Sequence, residues 1–133
     1  MVDGSSQVSA EVVEGVFELA RTGQTGALGE MLDAGVPPGI LNARGDSLLI
    51  VAAYAQHADT VAELLRRDVD TSVVNGMGQT AIACAVFRGN EEILRSLLAA
   101  GADPLLGANS AVQIADQFGL PSMRAVVEEY PRE

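Results

Sequence analysis

Apolar residues in this chain fall into short helical stripes that come in pairs, separated by turns rich in glycine and asparagine. The clearest stripe carries Ile93, Leu94, Leu97 and Leu98, which share one face of a helix because they are spaced by one turn. Asn90 stands ahead of it as an N-cap, and Glu91 and Glu92 occupy the positive end of the helix dipole. Gly101 follows as the stop, and Ala102-Asp103-Pro104 leads the chain into a loop. Thr25 and Pro121 stand at equivalent starts elsewhere. Before each of these outer helices the pattern predicts a smaller, more apolar one: Val12 to Arg21, Leu48 to Ala55, Ala81 to Phe87 and Ala111 to Phe118. Their alanines allow close stacking. The turns Asn42-Ala43-Arg44-Gly45 and Asn75-Gly76-Met77-Gly78 then join one helix pair to the next.

The pairs repeat. Leu32, Leu65 and Leu98 are 33 residues apart, as are Gly45 and Gly78, Ser47 and Thr80, Ala52 and Ala85, Tyr54 and Phe87, and Asp70 and Asp103. A fourth, shorter copy starts near Ser110, where Ser110-Ala111-Val112-Gln113-Ile114-Ala115 echoes Thr80-Ala81-Ile82-Ala83-Cys84-Ala85 at an offset of 30. No helix pair this short buries its faces alone, so its stability has to come from stacking on its neighbours. The expected organisation is an N-terminal flexible segment, 1–9, and one all-α domain, 10–130, of about four repeats: 10–41, 42–74, 75–106 and 107–130.

A turn and two helices repeating every 33 residues resembles the ankyrin repeat. In the third copy Asn75-Gly76-Met77-Gly78-Gln79-Thr80-Ala81-Ile82 stands where that family has its turn, glycine and Thr-Pro-Leu, and Ala85, Gly89-Asn90, Leu97-Leu98 and Gly101-Ala102-Asp103 follow in order. The second copy matches through Asn42, Gly45, Ser47, Leu49, Ala52-Ala53, His57, Leu64-Leu65 and Asp70. The likeness covers roughly residues 11 to 130 through many loose matches in one register. Leu48 and Ala81 replace the family proline, and Ile50 and Ala83 its histidine, which removes hydrogen bonds between repeats. The first and last copies are the most degenerate, as expected of caps that face water.

Composition narrows the partners. The chain is 48% hydrophobic and 20% charged, a globular balance, with a formal charge of −10. Such a charge repels nucleic acid. All eight basic residues are arginine, a usage that fits GC-rich, bacterial coding. Cys84 is the only cysteine, so no internal disulfide or thiolate cluster can form, and a reducing cytoplasm is expected. Met1 to Ser9 lacks the order of a signal peptide, and the longest apolar run, Leu48 to Ala55, is too short to span a bilayer; no membrane association is expected.

Candidate chemistry is sparse. His57, the only histidine, falls at the Gly-His junction of the family motif as Gln56-His57 and reads as a structural cap rather than a general base. Cys84 lies among alanines of an inner helix, where an inert buried thiol is the default; an enzyme on this scaffold would have to use His57 or Cys84. Gly76-Met77-Gly78 lacks the Gly-Lys-Ser/Thr of a phosphate loop, and the adjacent pairs Glu91-Glu92 and Glu128-Glu129 suit capping and solvation. No cofactor or metal is implied. The resemblance instead implies a monomeric module that grips another protein with its turn tips and the exposed side of its inner helices. Carried over by position, that selects Arg44 and Asp46, Met77 and Gln79 in the turns, and Arg21, Tyr54, Phe87, Arg88, Gln117 and Phe118 on the inner helices. Tyr54 and Phe87 either project from a concave rim or pack over the neighbouring repeat as core. Some small bacterial members of the family look like accessory factors for a neighbouring enzyme, catalase among them; nothing in these residues indicates a haem partner.

Overall fold

A computed structural model describes residues 9–130, so the segment 1–9 read as a flexible tail lies outside the described residues except for Ser9. Among the described residues eight α-helices follow one another as four pairs: α1 (Ala10–Thr22) and α2 (Thr25–Asp33), α3 (Leu48–Tyr54) and α4 (Ala58–Arg66), α5 (Ala81–Phe87) and α6 (Glu91–Ala99), α7 (Ala111–Gln117) and α8 (Pro121–Glu129). The inner helices α1, α3, α5 and α7 stack in sequence order, and the outer helices α2, α4, α6 and α8 form a second row behind them. Among the described residues the only extended pairing is an isolated bridge between Leu41 and Ser47 at the base of a turn.

Three of the inner helices have only 7 residues, too short to persist alone in water. Hydroxyls open them. Ser9, Ser47, Thr80 and Ser110 are extended, and each side-chain oxygen accepts from the backbone N–H of Val12, Ile50, Ala83 and Gln113 in turn. A cap of this kind stabilises a helix by about 1 kcal/mol. The recurrence of Ser47 and Thr80 marks the repeat in the sequence, and the structure explains it: these hydroxyls supply the start that the family proline does not.

Packing explains the alanines. In α5 every residue from Ala81 to Val86 is buried, because α3 and α7 flank it on both sides and α6 covers its back. Ala52 and Ala53 of α3 are fully buried in the same way, while Val61, Leu64, Ile93, Leu94 and Leu97 close the core from the outer row. Exposed charge clips the outer row from repeat to repeat. Arg67 reaches Asp33 at 3.0 Å and Arg95 reaches Glu129 at 3.0 Å. Such exposed pairs contribute only about 0–1 kcal/mol each.

Two corners recur in every full repeat, and both need left-handed backbone. Between inner and outer helix stand Gly23, Gln56, Gly89 and Gly119, with φ of 74°, 67°, 68° and 63°. After the outer helix stand Gly35, Asp68 and Gly101, with φ of 116°, 58° and 90°. The second repeat thus places Gln56 and Asp68 where its neighbours use glycine.

His57 departs from its reading as a cap. It occupies the N-cap position of α4, but its side chain makes no capping bond there. Instead Nε2 donates to the carbonyl of Arg21, 2.9 Å away in the last turn of α1. The imidazole therefore bridges two repeats. Nearby, the Thr25 and Thr60 hydroxyls meet at 2.7 Å. These bonds join repeats in place of those lost with the family histidine.

Candidate partner-binding face

Asparagine builds the turns before α3 and α5. Asn42 Oδ1 accepts from the backbone N–H of Arg44 and of Asp46, both at 3.0 Å, and Asn75 Oδ1 accepts from Met77 at 2.9 Å and Gln79 at 3.0 Å. Each side chain mimics a backbone turn and locks its loop. The locked loops are then tied together. Gly76 N–H donates to the Arg44 carbonyl at 3.0 Å, and Asn109 N–H donates to that of Gly78 at 3.0 Å. A Cβ at Gly78 would come within 2.9 Å of the Ala108 Cβ, so close contact as well as positive φ requires glycine there. The resulting tips hold Arg44 in solvent and leave Met77 69% exposed.

A second feature lies at the C-terminal ends of the inner helices. The Tyr54 and Phe87 rings are stacked, with centroids 6.2 Å apart and planes 11° apart, and Phe118 meets Phe87 edge-on at 5.6 Å and 77°. The Arg88 guanidinium sits 4.9 Å above the Tyr54 ring. Aromatic pairs of this geometry add about 0.5–1.5 kcal/mol each beyond burial. Even so, Tyr54, Phe87 and Phe118 remain 45%, 41% and 54% exposed. Projection and packing were posed as alternatives for Tyr54 and Phe87; the structure combines them, since each of these rings meets the ring of the next repeat and keeps an edge in water.

Between α1 and the turns of the second and third repeats runs a groove of about 1310 Å³. Of the residues selected from sequence, Arg21, Arg44, Asp46, Tyr54, Met77, Gln79 and Phe87 line it. Arg88 and Phe118 extend the aromatic row beyond the groove, while Gln117 stands exposed at the end of α7, outside the groove lining. Asp46 is committed to the fold: one oxygen accepts from Asn75 Nδ2 at 2.8 Å and the other from Asn42 Nδ2 at 3.3 Å. Arg21 is ion-paired with Glu18. The sequence reading missed the groove's other wall, where Ala10, Val13, Glu14, Phe17 and Glu18 line it together with Arg21. Its signal was present as a one-turn spacing, but α1 has 13 residues where α3 has 7, and treating the first repeat as a cap hid the stripe.

Cys84 lies beneath this groove and is 1% exposed. Burial, with a smaller contribution from the Asp46 charge, pushes its thiol up to about 12. His57 lines a different, shallow polar pocket with Gly23, Thr25, Asp59 and Glu92, so the two candidate catalytic side chains share no cavity. Among the described residues no three metal-ligating side chains gather, and no helix is long and apolar enough to cross a membrane.

Comparison with known proteins places the geometry in context. Residues 17–107 match the family model described as ankyrin repeats (3 copies). A protein of Pseudomonas aeruginosa named as an ankyrin repeat protein is 49% identical over 51 residues, covering 38% of this chain and 30% of that protein. The mitochondrial disaggregase of Bos taurus is 34% identical over 84 residues, 62% of this chain and 12% of its own length. A potassium channel of Arabidopsis thaliana is 26% identical over 129 residues, 96% of this chain and 16% of its own length. The chain thus spans less than a third of each of these relatives.

Proposed function

The chain belongs to the ankyrin-repeat family, and from that premise we propose that residues 10–130 act as one non-catalytic unit holding a partner protein against the concave face. Ankyrin repeats are protein–protein interaction modules. The observation that carries the reading is the half-exposed row of Tyr54, Phe87 and Phe118, beside Arg88, at matched ends of successive inner helices. The chain has only 2 tyrosines and 3 phenylalanines, and three of these five rings stand in water side by side. Aromatic and arginine side chains dominate interface hot spots, the rings because they bury a large area with few torsions to freeze and arginine because its planar guanidinium both stacks and donates several hydrogen bonds. Covering the exposed half of each ring is worth roughly 1 kcal/mol. Catalysis is disfavoured because the Cys84 thiol is buried and protonated, and the His57 Nε2 is occupied by the Arg21 carbonyl. A lone cysteine suits a reducing cytoplasm, and we take the unit to act as a monomer.

The test is a pull-down from source-cell lysate comparing the wild type with a Tyr54→Ala, Phe87→Ala, Arg88→Ala variant whose helical circular dichroism matches it. A protein retained by the wild type and lost by the variant is the expected outcome. Retention of the same protein by both moves binding to another face, and retention by neither overturns the module reading. Light scattering over a concentration series checks the monomer: association that disappears in the variant would make a second copy the occupant.

A further inference from the structure

The concave face is unusual in its charge. Among the described residues Arg21, Arg66, Arg67, Arg95 and Arg124 are all ion-paired with acids, and only Arg44 and Arg88 are not. Both of these are exposed, one on the turn tip that lines the groove and the other beside the aromatic row. Neither makes an ion pair, although the Asp46 carboxylate stands two residues from Arg44 and Glu14 lines the same groove. Helices α3 and α5 contain no acidic residue, the Asp116 carboxylate of α7 is taken by Arg124 at 2.5 Å, and both Asp46 oxygens accept from asparagine amides. In a chain of formal charge −10, the exposed aromatic row and the turn beside it thus carry the two arginines that make no ion pair among the described residues. The opposite wall differs, because Glu14 is exposed there and lines the groove.

We infer that the occupant of this face is a protein segment in which large apolar side chains stand next to a carboxylate, the apolar groups covering the Tyr54–Phe87–Phe118 row and the carboxylate meeting Arg88 or Arg44. The inference rests on the concave-face reading above and specifies its partner. The guanidinium of Arg88 lies over the Tyr54 ring, but its N–H donors point outward in the plane of the guanidinium and stay available to a carboxylate. An acid paired there sits against aromatic rings that exclude water, where a charge-assisted bond is stronger than on open surface. Glu14 repels a carboxylate at the α1 wall, which favours the side of the groove that carries Arg44. A basic segment is disfavoured over the row because the Arg88 cation beside it repels like charge, although the chain as a whole attracts cations.

The probe is a library of random 16-residue peptides displayed on phage, selected on the wild-type protein and counter-selected on a Tyr54→Ala, Phe87→Ala variant. Expected are peptides enriched in aromatic or large aliphatic residues with Asp or Glu alongside, each binding an Arg44→Glu, Arg88→Glu variant at least tenfold more weakly than the wild type. Both arginines are exposed and make no ion pair, so the reversal leaves the fold intact, and circular dichroism checks this. Peptides that need the aromatic row but are neutral or basic, or that bind the charge-reversed protein equally well, overturn the acidic partner while leaving the concave-face reading standing. Failure to enrich any peptide that distinguishes the wild type from the Tyr54→Ala, Phe87→Ala variant overturns both.

Discussion

Exchanging residues between the second and third repeats at their inner corner tests the register on which the fold rests. Gln56 and Gly89 occupy equivalent corners with φ of 67° and 68°. A left-handed conformation costs an L-residue about 1–2 kcal/mol, against which glycine loses about 0.5–1 kcal/mol more entropy on folding. Gln56→Gly should therefore stabilise the protein by about 0.5–1 kcal/mol. The lost contact is small, since the Asn90 amide approaches the Gln56 side chain only at 3.5 Å. Gly89→Gln should destabilise by a similar amount, and purely through the backbone, because a Cβ there meets nothing within 4 Å. Urea and thermal unfolding followed by circular dichroism resolve both changes, with about 2–5 °C of Tm expected for each 1 kcal/mol in a domain of this size. Neither change touches the groove lining. A loss of stability in Gln56→Gly, or no change in Gly89→Gln, would refute the claim that these corners are equivalent and strained.

Three further outcomes follow from single contacts. Gly23→Ala should cost about 1–2 kcal/mol more than Gly89→Ala in the same unfolding assay, because its new Cβ would lie 2.6 Å from His57 Nδ1 and push the ring off the Arg21 carbonyl; equal costs would show that the His57 bridge contributes nothing. The hydrogen bond from Arg67 holds the Glu63 carboxyl below its ordinary 4.5. The stability it contributes is thus present above pH 4.5 and lost as pH falls through the lower folded value, so a Glu63→Gln variant should show a shallower acid destabilisation below pH 4.5 than the wild type, read from urea midpoints. Cys84, raised from 9.0 to about 12, should react with a disulfide reagent ~10³-fold more slowly in the native protein than in denaturant, and rapid native labelling would revive a thiol role.

What could be read from the residues is what depends on neighbours close in the chain. The 33-residue period, the helix pairs, the Asn90 cap and the Gly101 stop are local, because capping and left-handed turns are decided within a few residues. The same period also implied that Tyr54 and Phe87 face one way, since matched positions in a stack present matched directions. Contact between repeats was decided elsewhere. Whether those rings would touch, how much of them would stay wet, and that Arg88 would settle on Tyr54 rather than Phe87 depend on the displacement of one short helix against the next. His57 reaching back 36 residues to the Arg21 carbonyl, and Asp46 being drawn into the Asn75 turn 29 residues on, belong to that same tertiary layer. The α1 wall of the groove does too. Its stripe at helical spacing is ordinary amphipathic sequence, and only the stacking of α1 on α3 sets that face across from the turns of the second and third repeats.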